Sequence, residues 1–422
     1  MNATDAVRFG ALLRESRRSL GLSQAELGGD KYSGSYISHL ESGRRVANAE
    51  AIDFLSRRLG VSPLEWGVGL YAVKPQITGG GDVIEDLLVA ERARSDHDWD
   101  AAAQHATQAA ATALAAGDEA RQWEALYVLA QSRFASGAFL EAATLAEELS
   151  EHETAHRFAV ARAQALSLAS IGYRAADRLG WAVAFGARAV EAASSAPPVI
   201  LSEALMALVS AMSEAGHSPA ESAPYLRRLD ELGTRLTSDH SRGMIAWTLG
   251  VAAFVAGNPR EGLSRFETAQ QLLDPHRDLR LWLRYHSTAA RWRLNLGMID
   301  GVEDLLRVAS SGLEFLGNSY DIVELRQVEA MLALRKGDPS EAARIMSAVL
   351  DDPVLGAEGM SRGGSELILA HAFEALGQTA AARQRFQFAA IQFEAEGRFR
   401  AAVDAWRRSA GQETSNSFLT QG

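Results

Sequence analysis

The chain has 422 residues, 47% of them hydrophobic, and a formal net charge of −11. That length exceeds one compact core, so several domains, or a domain plus a repeat array, are expected. The lack of cysteine excludes disulfides, thiolate metal sites and cysteine nucleophiles and suits a reducing compartment.

The N-terminal residues show no basic stretch followed by an apolar core of the secretory kind. No apolar run approaches the roughly 20 residues that cross a bilayer, so a cytoplasmic location without membrane attachment is expected. The acid is unevenly placed. Residues 1–75 hold ten Lys/Arg against eight Asp/Glu, which gives +2 and leaves −13 on the remainder. Only the first module favours phosphate.

Five short helices are predicted in that module. Val7 to Leu20 places Phe9, Leu12, Leu13 and Leu20 at helical spacing, and Gly21 stops the run. Ser23 followed by Glu26 is a capping box that starts the second helix, which ends at Gly28 and Gly29. The third runs from about Ser33 to Ser42 with Ile37 and Leu40 inward and Gly43 as its stop. Asn48 can cap the fourth. Ser62, Pro63 and Glu65 repeat the capping pattern for the fifth, with Trp66 and Leu70 closing the small core.

The string GLSQAEL followed by YISHLESGRR resembles the Cro/C1-type helix-turn-helix family of phage repressors and bacterial regulators, over roughly residues 7 to 70. That resemblance implies a five-helix, lambda-repressor-like DNA-binding domain whose third helix enters the major groove of a double-stranded operator. It places Gln24, Arg44 and Arg45 near phosphates, Gly34, Ser35, Ser38 and His39 near base edges with Tyr36 in backbone or methyl contact, and Ser33 among the DNA-binding residues. It also implies an internal ion pair between Arg17 and Glu41. None of the base-facing positions is Arg, Asn or Gln, so the bidentate pairs worth roughly 1–3 kcal/mol each are missing. One module should bind weakly, and a homodimer on a two-fold operator is expected.

Residues 74–83, with Thr78-Gly79-Gly80-Gly81-Asp82, read as a linker between a first domain at 1–73 and a second at 84–410. A phosphate-binding loop is the other reading of these glycines, but no Lys-Ser/Thr follows and no strand precedes them.

Beyond the linker Gly257, Gly297, Gly337 and Gly377 recur every 40 residues, and the same phase points back to Gly216, Gly180 and Gly137. This is a helical repeat. It resembles tetratricopeptide-type repeats, which implies seven or eight helix pairs stacked into an α-solenoid with a concave groove. The polar segment 411–422 reads as a flexible tail.

A helix-turn-helix module fused to such repeats resembles the peptide-sensing quorum regulators, an all-α architecture that implies a transcription factor switched by a signalling peptide or small molecule. Arginine far outnumbers lysine, which points to a high-GC genome, so the ligand class stays open. Counting back from the glycines puts Arg284, Arg291 and Asn295 on one groove face, with Trp247 and Gln327 in equivalent places and Tyr127, Gln131 and His371 in further units. The two arginines would hold an anionic group and the amides a peptide backbone; the competing reading is that the arginines pair with acidic neighbours. A second function class also stays open, in which the groove holds a partner protein and the DNA module only localises it.

His152-Glu153-Thr154-Ala155-His156 fits the zinc pattern H-E-x-x-H, but it falls at a unit junction without a third ligand at suitable spacing. Neither a Walker loop nor a nucleophile elbow is present. No catalytic residue, metal or cofactor is therefore expected.

Overall fold

A computed structural model of the chain describes residues 3–29, 31–45, 47, 49–61, 83–354 and 362–412. Every regular element among them is helical. The predicted fifth helix of the first module, the linker and most of the tail lie outside the described residues.

The N-terminal unit comprises α1 (Ala3–Ser19), α2 (Gln24–Gly28), α3 (Gly34–Glu41) and α4 (Ala49–Leu59). Phe9 and Leu13 of α1, Leu27 of α2, Ile37 and Leu40 of α3, and Leu55 and Leu59 of α4 are buried together. Leu20 departs from the expected core and is 53% exposed. The helix ends at Ser19, so Leu20 leaves its apolar face, and Leu22, past the left-handed turn at Gly21, packs against the core instead. The capping box at Ser23 is formed, with Ser23 Oγ accepting from Glu26 N at 3.1 Å and Glu26 Oε2 accepting from Ser23 N at 2.7 Å.

Two glycines let these helices approach. A Cβ on Gly10 would lie 2.3 Å from the Leu40 carbonyl oxygen where α1 crosses the end of α3, and one on Gly34 would lie 3.3 Å from Ala25 N where α3 meets α2.

The remaining helices form eight antiparallel pairs. These are α5 (Val83–Ser95) with α6 (Trp99–Ala116), and α7 (Glu119–Ser136) with α8 (Phe139–Ser150). After the short α9 (Glu153–Arg157) come α10 (Ala159–Ala175) with α11 (Leu179–Ala192), α12 (Pro198–Glu214) with α13 (Pro219–Gly233), and α14 (Asp239–Val255) with α15 (Pro259–Leu272). Then follow α16 (Leu279–Asn295) with α17 (Val302–Leu316), α18 (Ser319–Arg335) with α19 (Pro339–Asp351), and α20 (Arg362–Ala375) with α21 (Thr379–Glu396); α22 (Phe399–Ser409) packs on the last pair.

The glycine phase has a conformational basis. Gly137, Gly216, Gly257, Gly297, Gly337 and Gly377 all have positive φ and end the first helix of a pair, where a residue with a Cβ would be strained. Gly180 does not serve in this series. It lies in the first turn of α11, and Asp177, with φ of 56°, makes the left-handed turn instead. Second helices begin with their own signals: Asn258 caps α15 and Asp338 caps α19, each with proline at the first helical position. Pairs interlock through small residues. Gly250 of α14 receives the Phe266 ring of α15, and Gly262 of α15 receives Phe254 of α14, where an added Cβ would come within 2.5 Å and 2.6 Å of those rings. Phe254 in turn stacks on Trp292 of α16 at 4.7 Å between centroids.

The stacked pairs curl far enough for distant units to touch. The Ala135 carbonyl at the end of α7 accepts from Arg280 Nη1 at 2.9 Å and from Asn318 Nδ2 at 3.3 Å, and Phe139 meets Tyr320 edge to face at 5.7 Å. These contacts join successive turns of the superhelix.

Replacing Gly10 with alanine forces a methyl into the α1–α3 crossing. Overpacking of this kind costs about 1–3 kcal/mol. Hydrogen exchange of the α1 and α3 amides in the full chain should accelerate about 5- to 150-fold, while exchange in the repeat helices stays unchanged.

Candidate DNA-binding surface and ligand cavity

One buried ion pair ties the first three helices together. Arg17 Nε donates to Glu41 Oε1 at 2.5 Å and Nη2 to Oε2 at 3.0 Å, and Arg17 Nη1 caps the Leu22 carbonyl at 2.6 Å. Gln24 Nε2 adds a bond to Glu41 Oε2 at 2.8 Å. Burial pushes the Glu41 pKa up, but the hydrogen bonds from Arg17 and Gln24 and the charge of Arg17 outweigh it and hold the carboxyl below its ordinary 4.5. Gln24, expected at a phosphate, is thus committed through its amide nitrogen to the ion pair.

On α3 the expected contact residues separate. Ser35 and His39 are exposed, Tyr36 and Ser38 are half-buried, and Gly34 turns its Cβ side toward Ala25. Ser33 caps the helix, its Oγ accepting from Tyr36 N at 3.2 Å. Tyr36 is held between the Tyr32 ring, stacked at 4.8 Å, and the guanidinium of Arg45, 4.8 Å from its centroid. Arg44 and Arg45 are exposed beyond the helix end, their amides bonded to the His39 carbonyl at 3.0 Å and 3.2 Å. Exposed Ser35 and His39 thus share one unit with two solvated arginines.

In the repeat unit the first helices of successive pairs line a cavity of about 280 Å³. Its apolar part comes from Met244, Trp247 and Val251 of α14 with Leu281 and Trp292 of α16. Its polar part comes from Ser210, Ser213 and Glu214 of α12, Arg284, Ser287 and Arg291 of α16, and Tyr320, Asp321, Glu324 and Gln327 of α18. Arg174 of α10 and Arg398, the residue before α22, complete it.

The arginines of this wall all hold carboxylates. Arg280 Nε and Arg284 Nε reach the two oxygens of Asp321 at 2.7 Å and 2.9 Å. Arg291 Nη2 donates to Glu324 Oε2 at 2.9 Å and to Gln327 Oε1 at 3.0 Å, and Gln327 Nε2 donates to Ser365 Oγ at 3.0 Å. Arg174 Nη1 donates to Glu214 Oε1 at 2.5 Å. Arg398 lies 3.4 Å from Glu396, 3.6 Å from Asp177 and 3.7 Å from Glu214, bridging the end of the solenoid to its α10 and α12 turns. Burial beside Asp177 lifts the Glu396 pKa to about 7 even with Arg398 close by.

Of the expected ligand residues, Trp247, Arg284, Arg291 and Gln327 line the cavity, with both arginines paired to acids. Asn295 lies at the end of α16 outside the lining, its Oδ1 buried without a hydrogen-bond partner among the described residues. Tyr127, Gln131 and His371 also lie outside it; Tyr127 stacks on Trp123, and His371 faces the Phe386 ring and Glu374. Sequence reasoning missed Asp321 and Glu324, although they sit 40 residues after Leu281 and Arg284 and so share the period. Arg174 and Glu214 share that 40-residue spacing on the first helices of adjacent pairs, whereas Arg398 carried no comparable signal, because long-range curvature brings it to them.

The H-E-x-x-H string does not present two histidines on one helix. His152 is the N-cap of α9, its Nδ1 accepting from Thr154 N at 3.1 Å, and His156 points to Glu151 at 3.9 Å. Among the described residues no cluster of three or more histidine or acidic side chains has metal-binding geometry, and no helix is long and apolar enough to cross a membrane.

Residues 8–66 match the family described as a helix-turn-helix domain, so the chain carries that DNA-binding module at its N-terminal end. The family is not an enzymatic one. No curated protein matches the sequence significantly. Among solved structures, a Rap protein complexed with Competence and Sporulation Factor aligns at 11% identity over 97% of this chain and 96% of its own, with a TM-score of 0.49. The Rap conjugation gene regulator of plasmid pLS20, in complex with the Phr* peptide, aligns at 14% identity over 88% and 95%, with a TM-score of 0.48. Bacillus thuringiensis PlcR, in complex with the peptide PapR7 and DNA, aligns at 11% identity over 63% and 94%, with a TM-score of 0.34.

Two outcomes follow from the ion pairs. Glu41 has a depressed folded pKa, so its contribution to stability is complete above the unfolded value near 4.5 and is lost as pH falls through the lower folded value. Exchange of the α1 and α3 amides, corrected for intrinsic rates, should rise below about pH 4.5 in the native chain, and that rise should shrink in Glu41→Gln. Replacing Arg398 with methionine leaves Asp177, Glu214 and Glu396 facing one another, a loss of about 3–5 kcal/mol for a broken buried pair. Denaturant unfolding of the repeat unit should shift accordingly, and X-ray scattering should show an expanded solenoid.

Proposed function

We propose that this protein is a sequence-specific, DNA-binding transcriptional regulator whose repeat domain senses a small ligand, peptide or otherwise, and thereby controls DNA affinity. The observation that carries the reading is the pairing, in one chain, of a helix-turn-helix module with a solenoid that encloses a cavity between its first helices. The proposed division is a DNA-binding domain at 1–73, a linker at 74–83 and a sensing domain at 84–410.

On this reading α3 lies in the major groove with Ser35, Tyr36, Ser38 and His39 toward the bases. Ser33, the α3 amides and Arg44 and Arg45 then meet the backbone. Gln24 serves mainly to hold Glu41, and Gly34 to admit α2. With no bidentate base-reading side chain on α3, affinity rests on phosphate contacts and on two modules acting together, which supports a homodimer on a two-fold operator. Ligand binding in the cavity would favour one curvature of the solenoid over another, and so one spacing of the two modules. A location in the cytoplasm, where the DNA is, goes with this reading.

Electrophoretic mobility shift over a range of salt concentrations tests the DNA step. Each phosphate contact contributes about 0.9 to the slope of log affinity against log salt. The double variant Arg44→Ala, Arg45→Ala should lower the slope by about 1.8 per module and weaken binding to all sequences alike. An unchanged slope would remove these arginines from the interface.

A further inference from the structure

From the cavity's size and charge we infer that the ligand is a small amphiphile without net charge, neutral or zwitterionic, and neither an organic anion nor a peptide threaded along the groove. This rests on the proposal that the cavity is the sensing site, and it narrows what the site accepts.

Size is the first argument. At about 280 Å³ the cavity lies at the lower edge of small-molecule sites, which span roughly 300–1,000 Å³. An extended segment of five residues is already about 17 Å long at roughly 3.3 Å per residue. Such a segment needs a groove open along its length. Here the concave face is bounded on one side by the bonds from Arg280 and Asn318 to the Ala135 carbonyl and on the other by Arg398 reaching Asp177 and Glu214.

Charge is the second. The five arginines in and beside the wall face five carboxylates, and each arginine has at least one acid within 4 Å. An anion drawn to one of these guanidiniums meets the carboxylate already bonded to it and is repelled by that charge, and if it takes over the bonded nitrogens it leaves the carboxylate desolvated without its partner. A ligand with no net charge leaves every pair in place.

The wall also says where polar and apolar parts go. Trp247 and Trp292, with Met244 between α14 and α16, make an apolar face for the body of the ligand. The Ser210 and Ser213 side chains of α12 add polar groups to the same lining. Arg284, bonded through Nε to Asp321, keeps both Nη atoms for a carbonyl or hydroxyl oxygen, since no other bond of its side chain is formed among the described residues.

The test is a fluorescence titration of the full chain with two probes of similar shape, neutral N-phenyl-1-naphthylamine and anionic 8-anilinonaphthalene-1-sulfonate. It is followed by competition with a pool of heptapeptides. Ser213→Trp fills the cavity, and Ser213→Leu fills it partly and guards against a folding defect, which circular dichroism checks. The expected result is one neutral probe bound per chain, weakened at least tenfold by Ser213→Trp and less by Ser213→Leu. Binding of the anion that depends on Ser213 should be at least tenfold weaker, and the peptides should not compete. Tighter cavity-dependent binding of the anion, or displacement by peptides, would overturn this inference while leaving the sensing site standing. No binding that responds to either substitution would overturn both.

Discussion

The repeat domain depends on one backbone conformation used again and again: a left-handed residue after the first helix of each pair. A helix that ends this way turns its successor back antiparallel within two to six residues, and the pair presents one face to the next pair. Because the turns recur every 40 residues from Gly257 to Gly377, residues at a fixed distance before each turn point the same way into the concave surface. Met244, Arg284 and Glu324 share one such place, and Trp247, Ser287 and Gln327 share another. The chemistry of the cavity is therefore a column of equivalent positions filled differently in each unit: apolar in α14, basic in α16, acidic in α18. The alternation of basic and acidic neighbours produces the ion pairs that neutralise the wall.

The N-terminal unit is governed by a different device. Too small for a large core, it joins α1, α2 and α3 through Arg17, Glu41 and Gln24, and brings helix backbones together at Gly10 and Gly34. These interactions fix how α3 stands relative to α2, which is the relation a recognition helix needs. Two residues that the resemblance assigns to DNA take part in them, Gln24 through its bond to Glu41 and Gly34 through the close approach of α2. If α3 is the recognition helix, as proposed, its exposed serine and histidine would read bases weakly, and its rigid presentation and flanking arginines would matter more than any single base contact.

Much of the fold was legible in the amino-acid order, because caps and glycines act locally. The capping box at Ser23, the α3 boundaries and the 40-residue turns depend on residues within a few places of one another, whereas the Arg17–Glu41 pair, 24 residues apart, is legible only through the helix-turn-helix pattern. What escaped were features set by distance or by competition. Gly180 falls near the phase yet sits inside α11, since Asp177 takes the left-handed turn. His152 fits a metal pattern, but its ring caps α9. Asn295 lies on the correct helical face yet one turn beyond the cavity. Arg398 reaches Asp177 and Glu214 only because the superhelix curls through a full turn, and no local pattern encodes that. Arg284 and Arg291 line the cavity, while the carboxylates paired with them, Asp321 and Glu324, belong to the next unit.

The two halves of the chain make sense together if binding inside the solenoid alters its curvature and the DNA modules feel that change. On the proposed reading, such coupling would act through the contacts between distant units at Ala135 and at Arg398, of which Arg398 also lines the cavity. The premise beneath all of this is specific DNA binding. Genome-wide mapping of binding sites for the tagged protein in its own host tests that premise most directly. The account predicts discrete sites with two-fold-related halves about one helical turn apart. Occupancy spread over the genome without a shared sequence would contradict it.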